Sequence, residues 1–172
     1  MIIFLDYDDV VNSPMWYWDE EKNKFRCNYN FPKDNKVNNF QAVQWISEIC
    51  EKFNAQIVVS SDWRRHDNYK ECLINGGLRP GIKILGRIDI DSYVYRYELI
   101  ERYIYKHNIS PYDFLVIDDD EYAWQDNAED GLSRFVKVTS HSFGIIEYFE
   151  AEDKIKKLKN FGQLVVNEKT EK

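Results

Sequence analysis

Residues 1–11 read MIIFLDYDDVV, and the rest of the chain is best understood from them. Ile2 to Leu5 form a continuous, β-rich apolar run, the pattern of a strand buried on both faces. The run delivers Asp6, with Asp8 and Asp9 just beyond it. Carboxylates this close repel one another and lose hydration, so the stretch calls for positive charge among them.

The same pattern recurs downstream. AQIVVSS (55–61) is a second apolar strand that ends in polar residues, and DFLVIDDD (113–120) is a third. RFVKV (134–138) reads as a fourth strand, and IKILGRI (82–88) as a strand or an extended link. Helical signals lie between them. Phe40, Val43, Ile46, Ile49, Cys50 and Phe53 recur at helical spacing, which predicts an amphipathic helix over 39–53. HDNYKECLINGG (66–77) predicts a short helix stopped by Gly76–Gly77. Leu99, Ile100, Tyr103 and Ile104 predict a helix over 93–108, and residues 144–159 a closing one. Strands that alternate with helices imply an α/β fold, a parallel sheet sandwiched by helices. In such sheets the active site lies outside the carboxyl ends of the strands. Three strands would therefore bring Asp6/Asp8, Ser60/Ser61 and Asp118/Asp119 to one edge.

The chain has 172 residues, 44% of them hydrophobic and 16% aromatic, enough for a proper core. One domain over 1–160 is expected, with 13–38 as a flap or small insert and 161–172 as a charged, frayed tail. The formal net charge of −7 excludes binding of nucleic acid through the global field, so such a partner must meet a local patch or a metal. Cys27, Cys50 and Cys72 are scattered and form no CxxC pair, which fits a reducing, cytoplasmic setting. The first apolar run stops at Leu5, too short for a signal peptide, and no run approaches the ~20 residues that span a bilayer. No membrane role is expected, and the sequence sets no oligomeric state.

Two clusters of carboxylates at one sheet edge make an oxygen-rich site for a hard cation. Mg²⁺ suits it, because it takes carboxylates, keeps waters and pairs with phosphate. The Ser60 hydroxyl and a nearby arginine would hold phosphate oxygens through charge-assisted hydrogen bonds.

These residues carry a family resemblance. FLDYDDVV (4–11), IVVSS (57–61) and FLVIDDD (114–120) resemble the first, second and fourth motifs of the haloacid dehalogenase (HAD) superfamily. Arg96 falls where its basic third motif is expected; Arg87 and Lys83 are its rivals. More narrowly, VVSSDWRR, GGLRPG, RYELIERYI and VIDDD, in this order, resemble the HAD domain of Swiss-army-knife RNA repair proteins, over roughly residues 1–145. The resemblance implies a HAD-like Rossmannoid fold with a minimal cap or none, and a Mg²⁺-dependent phosphomonoesterase. Asp6 would be the nucleophile that becomes an aspartyl-phosphate, and Asp8 the general acid and then base. Asp6, the Asp8 backbone carbonyl and an acid of the Asp118–Asp119 pair, preferably Asp119, would hold the metal. Ser60 and Arg96 would stabilise phosphate oxygens, and Arg64 would reach a substrate phosphate or cap the site.

The implied substrate is a 3′- or 5′-phosphate on a nucleic-acid end. A nucleotide or other small phosphate ester, favoured by the net charge, is the alternative; a non-catalytic binding module and a metal-dependent nuclease stand behind it. Asp9 departs from the family, which often has Gly there, a residue that tolerates backbone angles Asp adopts less readily. Trp63 and Asp120 read as packing and surface. His66, His107 and His141 have no metal spacing and read as non-catalytic. Trp16, Tyr17, Trp18, Tyr29 and Phe31 in the flap would stack bases or form a satellite core.

Overall fold

The central element is strand β1, Ile2–Leu5, whose residues 3–5 are fully buried. The computed structural model describes residues 1–13, 15–19, 24–28, 37–126 and 130–170, with the backbone alone for 15–19, 24–28 and 168–170. After β1 come strands β2 (Met15–Asp19) and β3 (Lys24–Asn28), helix α1 (Phe40–Phe53) and strand β4 (Gln56–Val59). A 3₁₀ turn (Asp62–Arg65), helix α2 (Tyr69–Asn75), strand β5 (Ile84–Arg87) and helix α3 (Arg96–Lys106) follow. The chain closes with β6 (Phe114–Asp118), β7 (Phe135–Lys137) and α4 (Ile145–Thr170).

Five strands form a parallel sheet in the order β5-β4-β1-β6-β7. Parallel pairing forces crossovers, and their helices cover both faces. Helices α1, α2 and α4 pack on one face, against Leu5, Val59 and Ile117. Helix α3 packs Leu99 and Ile100 on the other, against Phe4, Val58 and Val116. The order reverses at β1. The chain first builds β4 and β5 on one side, then crosses under α3 to place β6 on the other. Such a reversal opens a crevice at the strand ends, where ligands of open α/β sheets bind.

Helix α1 starts at Asn39, whose side chain accepts a hydrogen bond from Ala42 N (3.0 Å), and stops at Asn54 in left-handed geometry (φ 51°). IKILGRI contains a strand, β5, rather than a link. The insert after β1 holds an antiparallel hairpin, β2–β3. The expectation for its aromatic residues falls outside the described side chains.

Helix α4 runs on to Thr170, through most of the segment for which a charged, frayed tail is expected. Its apolar stripe does not end with the core residues Ile155 and Leu158. Phe161 packs on Tyr112 with ring centroids 5.4 Å apart, and Gly162 lies so close that a Cβ there would meet the Tyr112 Cβ at 3.0 Å. Pairs such as Lys154–Glu150 (2.8 Å) and Lys157–Asp153 (2.6 Å) add helical support four residues apart.

Candidate active site

Side chains alternate along a strand, so parity decides which residues meet. Leu5, Val59 and Ile117 point to the α1/α4 side, so the next residue of each strand faces α3. Those residues are Asp6, Ser60 and Asp118. Adjacent strands keep them in register: Asp6 N donates to Ile117 O (3.0 Å), and Ser60 N to Leu5 O (3.0 Å). Helix α3 contributes Arg96 from its first position. Arg96 Nη1 lies 2.5 Å from Asp118 Oδ2 and 3.2 Å from Asp6 Oδ1. Tyr7 turns back into the core, where its hydroxyl donates to Tyr69 O (2.8 Å) and locks the strand end.

Asp6, Asp118 and Asp119 each offer an oxygen within 4.8 Å of the others. Asp6 and Asp118 are buried, and Asp119 is partly exposed. Burial first, then Asp118, holds the Asp6 carboxyl well above the usual carboxylate range, although Arg96 pulls it down. Burial also raises Asp118, against the pull of Arg96, to about 6. Burial and the Asp9 charge raise Asp119. One guanidinium therefore does not neutralise the cluster. The donor set is all oxygen and still lacks positive charge, which fits a hard divalent cation such as Mg²⁺.

The Ser60 hydroxyl is fully buried and has no hydrogen-bond partner among the described residues, while Ser61 accepts from Trp63 N (3.3 Å) and starts the 3₁₀ turn. A buried hydroxyl without a partner costs about 1–3 kcal/mol, so its natural complement is a ligand oxygen. Arg64 is buried rather than on the surface. Its guanidinium donates to Ser60 O (3.0 Å) and Asp89 O (3.3 Å) and meets Asp62 Oδ1 (2.8 Å), so it braces two strand-end loops. The rivals of Arg96 are placed elsewhere: Arg87 donates to Arg64 O (2.5 Å), and Lys83 precedes β5 at the opposite end of the sheet.

The Asp8 side chain stands apart from the acid cluster. It accepts from Trp63 Nε1 at 3.1 and 3.0 Å and from Asn12 Nδ2 at 2.8 Å. Burial raises its pKa, and those donors partly offset the rise. Trp63 thus orients a carboxyl as well as packing, with its ring edge-on to Tyr7 at 5.5 Å. A sequence offers no signal for that contact beyond the place of Trp63 in the VVSSDWRR segment. Trp63→Phe keeps the packing and removes the donor. With Asp8 in the general-acid role that the resemblance implies, the change is expected to raise the Asp8 pKa and move the alkaline limb of kcat/KM to higher pH, with kcat about tenfold lower. A pH–rate profile on a phosphate monoester checks it.

Asp9 adopts φ 55°, the left-handed geometry for which glycine is suited. Its carboxylate meets His141 Nδ1 at 2.8 Å, and His141 itself has φ 57°. The loop that carries His141 is fastened to the first motif, since Phe143 N donates to Val10 O (2.8 Å). Asp9 thus has a partner in His141, a neighbour that metal spacing does not reveal, while its charge still acts on Asp119. Asp9→Ala and Asp9→Gly both lose the carboxylate, but only Ala pays the left-handed cost. Asp9→Ala is expected to be less stable than Asp9→Gly by about 1 kcal/mol in urea denaturation.

A parallel α/β sheet with acids beyond β1 and β6 and a basic residue opening α3 is the fold of the HAD superfamily. The family described as the HAD domain in Swiss Army Knife RNA repair proteins matches residues 2–147. The chain belongs to that family. No curated protein matches it. Among the described residues, no helix is long and apolar enough to cross a membrane.

Proposed function

We propose that this chain is a Mg²⁺-dependent phosphomonoesterase that removes the phosphate from a nucleic-acid end. The observation that carries the reading is the convergence of buried Asp6 and Asp118 with partly exposed Asp119, whose repulsion Arg96 only partly relieves. Asp6 Oδ attacks phosphorus and becomes an aspartyl-phosphate as the bond to the leaving oxygen breaks. Asp8, held by Trp63 and Asn12, gives its proton to that oxygen. Asp8, now ionised, takes a proton from water, which attacks phosphorus, releases inorganic phosphate and restores Asp6. Arg96 and the Ser60 hydroxyl hold phosphoryl oxygens through the transfer. Asp6, the Asp8 carbonyl and Asp119 would hold Mg²⁺, with Asp118 tied to Arg96. When bound, the ion supplies positive charge that keeps Asp6 ionised and screens it from the incoming phosphate.

The family's RNA repair context supports a polynucleotide end as substrate, and the work would take place in the cytoplasm, where Cys50 and Cys72 stay as free thiols. The net charge of −7 favours a second reading, a nucleotide or another small phosphate ester. Incubation with Mg²⁺ and end-labelled oligonucleotides carrying a 3′- or 5′-phosphate, with mononucleotides in parallel, tests both. Phosphate released without strand scission, and faster from oligonucleotides, is the expected result. Faster release from mononucleotides selects the second reading. Scission would mean a nuclease, and silence on every ester a non-catalytic module.

A further inference from the structure

The segment 88–95 leaves β5 at the same sheet edge as the acids. It is a built loop. Ile88 is buried and donates its N–H to Val59 O (3.1 Å), and Asp89 O accepts from Arg64. Ser92 Oγ accepts from Arg65 Nη1 (3.2 Å), and Tyr93 N donates to Asp91 Oδ1 (2.9 Å). Yet this tethered loop displays aromatic side chains to water. Tyr93 is 99% exposed and Tyr95 71% exposed. The Tyr95 ring stacks on Tyr97, with centroids 6.0 Å apart and planes 17° apart, so it is pre-set as a flat face. Ring faces held in water beside a site mark a surface awaiting a partner.

Two features say which partner. Tyr95 immediately precedes Arg96, the guanidinium between Asp6 and Asp118, so the loop that carries the rings runs directly into the proposed phosphate site. Charge is the second. Residues 62–102 carry eight Lys and Arg against seven Asp and Glu, so the chain's negative excess lies elsewhere. Arg65 and Arg102, partly exposed, flank the loop. Aromatic faces interleaved with arginines accept bases and backbone without sequence preference.

We propose that Tyr93 and Tyr95 form a stacking platform for the unpaired bases next to the phosphate that Arg96 receives, which makes the substrate a single-stranded end. A duplex buries its base faces in its own stack, so rings that take bases select a single strand. The proposal rests on the phosphatase reading above and is separable from it by experiment.

The test compares kcat/KM for a short single-stranded oligonucleotide phosphate with that for p-nitrophenyl phosphate, which has no bases to stack. In a Tyr93→Ala/Tyr95→Ala variant the ratio of the two is expected to fall about 10- to 100-fold, mostly through KM, and to recover in the Tyr→Trp pair. An unchanged ratio, or an equal preference of the native chain for duplex ends, overturns the platform. Should the native chain hydrolyse neither ester, the phosphatase reading fails. Fluorescence anisotropy with a labelled single strand then decides the platform alone. Binding lost in the Ala pair upholds it. Absent binding, or binding equally tight in that variant, overturns it and gives the tyrosines to a different partner.

Discussion

Asp6→Asn is expected to lower kcat on a phosphate monoester by about 10⁴-fold or more, the scale seen when an enzyme loses its nucleophile. Asn keeps the shape of Asp but cannot become an acyl phosphate. Rapid quench should trap labelled phosphate on the native chain and none on the variant. Stability should move the other way. Asp6 is buried beside Asp118, and both carboxyls are pushed up by burial. Neutralising one of them relieves the other, so the metal-free variant should melt above the metal-free native chain at pH 7. A residue kept for structure would lose stability instead. Full phosphate release by Asp6→Asn would refute the nucleophile.

The second large effect belongs to Arg96→Met. Its side chain is 20% exposed and pairs with two carboxylates that are 4% and 0% exposed. Removing one member of a buried charge cluster typically costs about 3–5 kcal/mol, because the partners stay behind unpaired. The loss should depend on pH, and its sign follows from linkage. A carboxyl raised in the folded state holds protons that the unfolded chain has released, so folding loses stability as pH rises between the two pKa values. For Asp118 that window runs from its ordinary value of 3.8 to about 6. Metal-free native protein should lose stability as pH rises from about 4 to 6, by about 3 kcal/mol from Asp118 alone.

Without Arg96 both acids rise further. The Arg96→Met deficit should then be small near pH 4.5, where both acids are protonated, and largest at neutral pH. Mg²⁺ should recover part of it, and the ion's stabilising effect on the native chain should grow as pH rises through that window. Urea denaturation at several pH values, with and without Mg²⁺, reads all three effects. A deficit independent of pH would show that Arg96 acts by packing rather than by charge.

Some of this site was legible because it rests on local pattern. The apolar runs before Asp6, Ser60 and Asp118 are continuous, and a buried parallel strand needs just that. The alternation of such runs with helical periods places their ends at one edge, so the acid site could be assembled from residues more than a hundred positions apart. Within the sequence, only the family resemblance distinguishes Arg96 from Arg87 and Lys83. Its selection in space depends on α3 packing on the face to which Asp6 and Asp118 point.

Other parts depend on contacts between loops, which carry no period. Trp63 reads as a packing residue until the 3₁₀ turn aims its N–H at Asp8. His141 lies 132 residues from Asp9, and ties between loops, such as that of Phe143 to Val10, bring them together. Helix α4 outlasts its obvious stripe because Tyr112, from another loop, offers Phe161 a ring to pack on. By itself the sequence determined the sheet, the edge where the site lies and the first carboxylate pair, since strand burial and side-chain alternation are local properties. Tertiary structure decided the contacts within the site: Asp8 held by Trp63 and Asn12, Asp9 set against His141, the Ser60 hydroxyl without a partner among the described residues and Arg64 spent on the backbone. Hydrogen bonds are directional over about 3 Å, and only the folded chain sets distances that fine.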